Sequence, residues 1–343
     1  MECLLCKEKE ANQTGAHIFT NSLVKSCLNV EGKTGRDDEL IFSFCNSGER
    51  DLYVGKTTSV AKIEEVLGRP ITNEELKTNS NKIVIDNIYC TDCEKLFGKI
   101  ESPFTDRILK KIRDRNIYEF KSPDNILIRL YFYIQIWRAS SYKFEGWQLH
   151  NKELEEHLRQ LIFDSCNLYE NGLPIELQEA LLKFPLVVNY LETPEGEKST
   201  NLFLIGKKIA PYYFFLCDFI VEFMPINDDN VEINLAHYYG VNDGIKSIEV
   251  NRNEEKFIIR VISNNKRNEI KALIVSELAV FESERLKEKF IKTYEELTGI
   301  VISQEKLNHF KNAFFDFEEV PIAQRWSEDR FNRILNDVIG TPL

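Results

Sequence analysis

Two CxxC pairs and one nearby histidine carry most of the chemistry this sequence could do. Cys3 and Cys6 form the first pair, Cys90 and Cys93 the second, and His17 follows the first closely. Four thiolates complete a tetrahedral zinc site, which leaves His17 for other work. The second pair continues into Glu94, with Glu101 seven residues later. If a helix follows Cys93, these two carboxylates share roughly one face near the point to which the zinc brings His17. A histidine and carboxylates beside a metal-pinned turn have the makings of phosphodiester cleavage: a base to activate water, and hard oxygen donors for a divalent ion on the phosphate.

The elements that must position these residues follow from the surrounding pattern. Residues 1–102 read as one unit bracketed by the CxxC pairs. Within it, strands at Leu40–Phe44 and Asp51–Gly55 flank the turn residues Asn46, Ser47 and Gly48, and a helix covers Thr58–Leu67. A strand over Lys82–Tyr89 delivers the chain to Cys90, and a helix carries it onward, the exit half of a treble-clef-like zinc fold. Residues 103–184 form a helical extension, with helices over Ile126–Ala139, Leu154–Phe163 and Ile175–Phe184, the first of them preceded by the stop Ser122-Pro123-Asp124. From residue 185 to 343 the pattern turns strand-rich at Leu186–Leu191, Leu202–Ile205, Tyr212–Phe223, Val231–Leu235 and Lys256–Ile262. It ends in helices at Ser276–Leu297, Ser303–Phe314 and Ser327–Ile339, each with a serine at its cap. The fold class is therefore α+β: an amino-terminal zinc-stabilised module with a helical extension, and a carboxy-terminal strand-rich α+β domain for recognition or partner binding.

At 343 residues and 43% hydrophobic content the chain can build a core in more than one domain. The first residues carry no basic segment followed by an apolar run, so no secretory signal is expected, and the apolar stretches are too short and too polar for a bilayer. Eight cysteines without an export signal read as zinc ligands plus buried thiols, Cys27, Cys45, Cys166 and Cys217 being the latter, in a cytoplasmic protein. A net charge of −11 excludes a protein that coats nucleic acid nonspecifically. A local basic site remains at Arg107, Lys110, Lys111 and Arg115, where helical spacing puts Arg107, Lys111 and Arg115 on one face, either for phosphate contact or simply as a solvated helix face. His150 and His157 read as supporting residues, His237 and His309 have no constellation around them, and the aromatic run from Tyr212 to Phe223 reads as core.

The motifs together resemble a known family. Cys3-Leu4-Leu5-Cys6, Ala16-His17-Ile18-Phe19 and Ile88-Tyr89-Cys90-Thr91-Asp92-Cys93-Glu94-Lys95-Leu96-Phe97, with Glu101 after them, look like the HNH, or His-Me finger, nucleases. The likeness is to a bacterial branch with the pattern CxxC, SHIIP, LLCxxCExxF and a later Glu. It extends to Trp137-Arg138-Ala139-Ser140, similar to that branch's WRAS segment, and to Glu155–Leu161, similar to its HEERLRQ-like helix, and so covers residues 3–165. The resemblance would make the amino-terminal zinc-stabilised module a ββα-metal (HNH-like) one. It implies a metal-dependent endonuclease acting on DNA, and it permits a role as an effector of antiviral defence. His17 would be the general base, and Glu94 and Glu101 would hold a catalytic magnesium or manganese ion. Arg138 is expected in support, bracing Glu101 or contacting phosphate. The chain departs from the pattern in three places: Ala16 precedes the base, Thr20 stands for the proline, and the middle asparagine has only Asp86 and Asn87 nearby. The rival reading is a noncatalytic zinc-scaffolded protein that binds protein or nucleic acid, including a docking partner of a nucleic-acid-guided complex.

Overall fold

The structure is a computed structural model that describes residues 1–20, 22–23, 40–42, 52–54, 60–74, 84–144, 147–192, 203–205, 212–216, 218–224, 256–316, 318, 320 and 327–340. It is a mixed α+β chain. Strand β1 (Ala16–His17) pairs antiparallel with β4 (Val84–Ile85), while β2 (Leu40–Phe42) pairs with β3 (Leu52–Val54). The turn residues between β2 and β3, the strand at Val231–Leu235, His237 and the thiols Cys27, Cys45 and Cys217 lie outside the described residues.

Contacts divide the chain into two compact units, residues 1–36, 45–47 and 81–270 in the first, and 37–44, 48–80 and 271–343 in the second. This division follows different boundaries from the three segments read off the sequence. The reason within the first unit is α4 (Asp124–Ser141), whose run of apolar residues has no polar face and is buried nearly throughout. Ahead of it in this unit come α2 (Thr91–Pro103) and α3 (Lys110–Arg115), joined by a π-helical stretch, Phe104–Leu109; α1 (Val60–Leu67) belongs to the second unit. After it come α5 (Lys152–Leu168) and α6 (Ile175–Leu182).

One side of α4 receives a five-stranded sheet in the order β11-β6-β9-β8-β7, formed by β6 (Leu186–Leu191), β7 (Phe203–Ile205), β8 (Tyr212–Leu216), β9 (Phe219–Phe223) and β11 (Arg260–Ile262). Phe132 meets Phe219 edge-on at 5.7 Å, and Tyr133 meets Phe223 at the same distance. The helical extension and the sheet thus share one core. The segment expected as a single strand, Lys256–Ile262, serves two sheets: β10 (Lys256–Ile258) pairs with β5 (Glu119–Lys121), and β11 pairs parallel with β6. Between them the Ile259 amide donates to the Tyr118 carbonyl at 2.8 Å.

Asp218, at the turn into β9, is buried and accepts two hydrogen bonds from Arg113 of α3, from Nε at 2.6 Å and Nη2 at 2.8 Å. Burial raises the Asp218 pKa, and Arg113 works against that rise. Asp218→Asn keeps the shape and removes the charge, so urea denaturation is expected to show a loss of about 2 kcal/mol. Unchanged stability would mean that the pair contributes nothing.

The second unit contains a helical core. Helix α7 (Asn264–Thr298) contributes Leu286, Phe290 and Tyr294, α8 (Gln304–Phe315) contributes Phe310 and Phe314, and α9 (Glu328–Gly340) contributes Phe331. Phe290 stacks on Phe310 at 3.8 Å. The expected caps Ser303 and Ser327 each accept from an amide three residues on. Helix α7 starts twelve residues earlier than the expected Ser276, because Ser263 takes the capping position and accepts from the Lys266 amide. Among the described residues no helix is long and apolar enough to cross a membrane.

Candidate metal centre and the strand and helix it joins

Each CxxC pair is shaped by its own backbone. At the first, the Lys7 amide returns to the Cys3 carbonyl at 2.9 Å, closing a turn in which Lys7 adopts a positive φ of 57°. The Cys3 amide donates to Lys9 and the Leu4 amide to Ile88, which ties the turn to the residues just before the second pair. At the second, Cys90 is the N-cap of α2 and its Sγ accepts from the Cys93 amide at 3.4 Å. Cys93 lies in the first helical turn, so both sulfurs face the same side.

The four sulfurs of Cys3, Cys6, Cys90 and Cys93 all lie within 4.8 Å of one another, close enough to bind a metal ion. A tetrahedral ion with metal–sulfur bonds of about 2.3 Å needs sulfurs about 3.8 Å apart, and Cys6 and Cys90 are 4.0 Å apart. The electrostatics agree with the geometry. The Cys93 thiol donates to Cys3 and draws its pKa down to about 4, while Cys93 itself is driven strongly upward by that same contact and by burial. Burial also raises Cys90. Without a cation the cluster can hold one thiolate at the expense of its neighbours' ionisation; a dication lets all four ionise.

The cluster brings together β1, β4 and α2. His17 is half-buried on β1 opposite Val84, and Ala16 beside it is fully buried. Asp86 and Asn87 shape the turn beyond β4: Asp86 accepts from the Gly15 amide at 2.6 Å, and Asn87, at φ 60°, donates its amide to the Gln13 carbonyl. Both therefore secure the β1–β4 pairing.

Glu94 and Glu101 meet at one guanidinium. Arg138 of α4 is 1% exposed and lies over the Phe97 ring at 3.8 Å. Its Nη1 donates to Glu101 Oε1 at 2.7 Å and to the His17 carbonyl at 3.1 Å, and its Nη2 lies 3.8 Å from Glu94 Oε2. That last distance exceeds a hydrogen bond, and both atoms are buried without a hydrogen-bond partner. Burial raises the Glu94 pKa; Arg138 opposes the rise and Glu101 adds to it. Burial acts against the charge on Arg138, but Glu101 and Glu94 outweigh it and the net direction is upward.

Thr20 and Gln135 complete the arrangement. The Gln135 amide accepts from the Thr20 backbone N–H at 2.9 Å and donates to Thr20 Oγ1 at 2.8 Å. Thr20 Oγ1 in turn donates to Glu101 Oε1 at 2.7 Å. Sequence reasoning singled out Thr20 only as a departure and did not find Gln135 at all. Arg159 of α5 was likewise missed as a site residue; it donates to the Leu5 carbonyl inside the first CxxC turn and, through Nε, to Glu156 at 3.0 Å.

The basic stretch is occupied within the chain. Arg107 and Lys111 both pair with Asp124 at the start of α4, and Lys110 pairs with Asp106 at 2.5 Å. Arg115 is the last residue of α3. His150 Nδ1 and the Tyr212 hydroxyl share a hydrogen bond at 3.2 Å, His157 packs on Phe184, and His309 lies 3.3 Å from Asp337.

Among the described residues the four cysteines are the one group of three or more His, Cys, Asp or Glu side chains close enough to share an ion, so His17, Glu94 and Glu101 do not assemble a second metal site. No family model matches the chain, nor does any curated protein or solved structure. The functional reading rests on the residues themselves.

Proposed function

We propose that Cys3, Cys6, Cys90 and Cys93 hold a structural zinc ion, and that the ββα arrangement pinned by it is an HNH-like endonuclease module that hydrolyses DNA. The observation that supports this most is the convergence on Arg138: the strand bearing His17 and the helix bearing Glu94 and Glu101 are tied to one buried guanidinium. His17 is the proposed general base. A neutral imidazole with a free ring nitrogen can take a proton from water. The hydroxide so formed attacks phosphorus, the bond from phosphorus to the leaving oxygen breaks, and that oxygen takes up a proton from solvent water while the imidazolium returns its own to solvent. Glu94, with 26% of its side chain exposed, is the oxygen donor suited to magnesium or manganese. One carboxylate is an incomplete site for such an ion. A cytoplasmic role in defence, with the carboxy-terminal half binding a trigger or partner, belongs to the same proposal.

A second reading, a noncatalytic zinc scaffold, is favoured by the same guanidinium, which offsets the charge of Glu101 and Glu94 where a catalytic ion would be needed. Incubating zinc-loaded protein with plasmid DNA and magnesium or manganese separates the two. Wild type should cleave, and His17→Ala should be slower by about hundredfold or more. Equal rates would reject His17 as the base, and no cleavage by wild type would favour the scaffold.

A further inference from the structure

The hydrogen bonds around Glu101 close a ring. From the His17 carbonyl it runs to Arg138 Nη1, to Glu101 Oε1, to Thr20 Oγ1, and back along the backbone through Phe19 and Ile18 to His17. Gln135 grips Thr20 from outside the ring at both its amide and its hydroxyl. Every member but Glu101 and His17 is at least nine-tenths buried, and the Glu101 side chain is 18% exposed. The ring joins both ends of a four-residue segment to two helices, α2 through Glu101 and α4 through Arg138 and Gln135.

We propose that Thr20 is a positioning residue for His17 and that Glu101 belongs to this device, not to a catalytic metal. The inference deepens the nuclease reading, on which the role of His17 rests. β1 is only two residues long, so strand pairing alone fixes His17 weakly. Thr20 stops the backbone from rotating beyond Phe19, and Arg138 holds the His17 carbonyl itself. Glu101 Oε1 takes a hydrogen bond from each, which commits that oxygen to the ring. The hydroxyl at position 20, where the resembling pattern has proline, thus supplies by hydrogen bonding the rigidity that a proline ring gives through its fixed φ.

The test compares Thr20→Val, which has the same shape and no hydroxyl, with Thr20→Ser, which keeps it, in the full-length zinc-loaded protein. Hydrogen exchange read by mass spectrometry over residues 16–20 should rise about tenfold in Thr20→Val and stay at the wild-type level in Thr20→Ser. Zinc content should stay unchanged in both. Equal exchange in the two variants would overturn the proposal. So would loss of zinc from Thr20→Val, because the ring would then be holding the metal turn and not the strand. Manganese titration followed by electron paramagnetic resonance addresses Glu101. Glu101→Gln should bind manganese as wild type does, and loss of an ion that wild type binds would return Glu101 to the metal. Should plasmid cleavage be absent altogether, the nuclease reading fails, while the exchange comparison still decides whether Thr20 fixes the strand.

Discussion

Removing the metal from the cysteine cluster is expected to unfold the amino-terminal part of the first unit. β1 and β4 are two residues each, and the turns at Cys3–Cys6 and Cys90–Cys93 are held to one another by a few backbone hydrogen bonds. Such elements cannot assemble a stable sheet by themselves. The free energy of binding zinc to four thiolates, roughly 10 kcal/mol or more at neutral pH in small zinc modules, is then free energy of folding. Chelation, or Cys93→Ser, should lower the melting temperature and abolish exchange protection in residues 1–20 and 84–100, with α4 and the sheet losing less. The measurements are metal analysis and denaturation with and without chelator. A protein as purified with well under one zinc per chain, or one whose melting is indifferent to chelator, would remove the metal from the account. Arg159 should share in this effect, since it donates to the Leu5 carbonyl inside the first turn.

The parts of the site that were legible in the sequence are those set by short spacing. A CxxC pair places two sulfurs on one side of a turn whatever surrounds it, and Cys90 starts a helix because its sulfur caps the Cys93 amide. A buried arginine needs polar partners, and Arg138 finds Glu101. What could not be read depends on register between distant elements. Thr20 and Gln135 are 115 residues apart in sequence, and their pairing follows from the packing of α4 against the segment after β1. Helical spacing puts Arg107 and Lys111 on one side of the chain, and both reach one carboxylate; that this carboxylate is Asp124, from the next helix, depends on packing that spacing does not reveal. The change of pattern near residue 185 does not coincide with a limit of the compact units. A change from helical to strand periodicity marks a change of element, and Phe219 and Phe223 of β9 nevertheless share the core of α4.

Arg138→Met is expected to cost 3–5 kcal/mol, on the order found when one partner of a buried ion pair is removed. The methionine fills most of the space and keeps contact with Phe97, so the loss is chiefly electrostatic: Glu101 loses its cation, Glu94 loses the nearest one, and the His17 carbonyl loses a donor. The pH dependence has a definite sign. Burial already holds the Glu94 pKa above its ordinary 4.5, and without Arg138 nothing adjacent opposes that rise. A carboxyl whose pKa is raised on folding costs nothing below its unfolded pKa, and its penalty grows as pH rises through the folded value. The deficit of Arg138→Met relative to wild type should therefore be largest near pH 8 and shrink toward pH 5. Combining Arg138→Met with Glu101→Gln should recover part of the loss, because a buried pair replaced on both sides leaves no uncompensated charge. Arg138→Lys should fall between the two, since an ammonium keeps the charge but lacks the planar fork that reaches Glu101 and His17 together. If urea denaturation gave the same deficit at both pH values and no recovery in the double variant, the guanidinium would be stabilising the fold by packing over Phe97 at 3.8 Å, and its charge would be incidental.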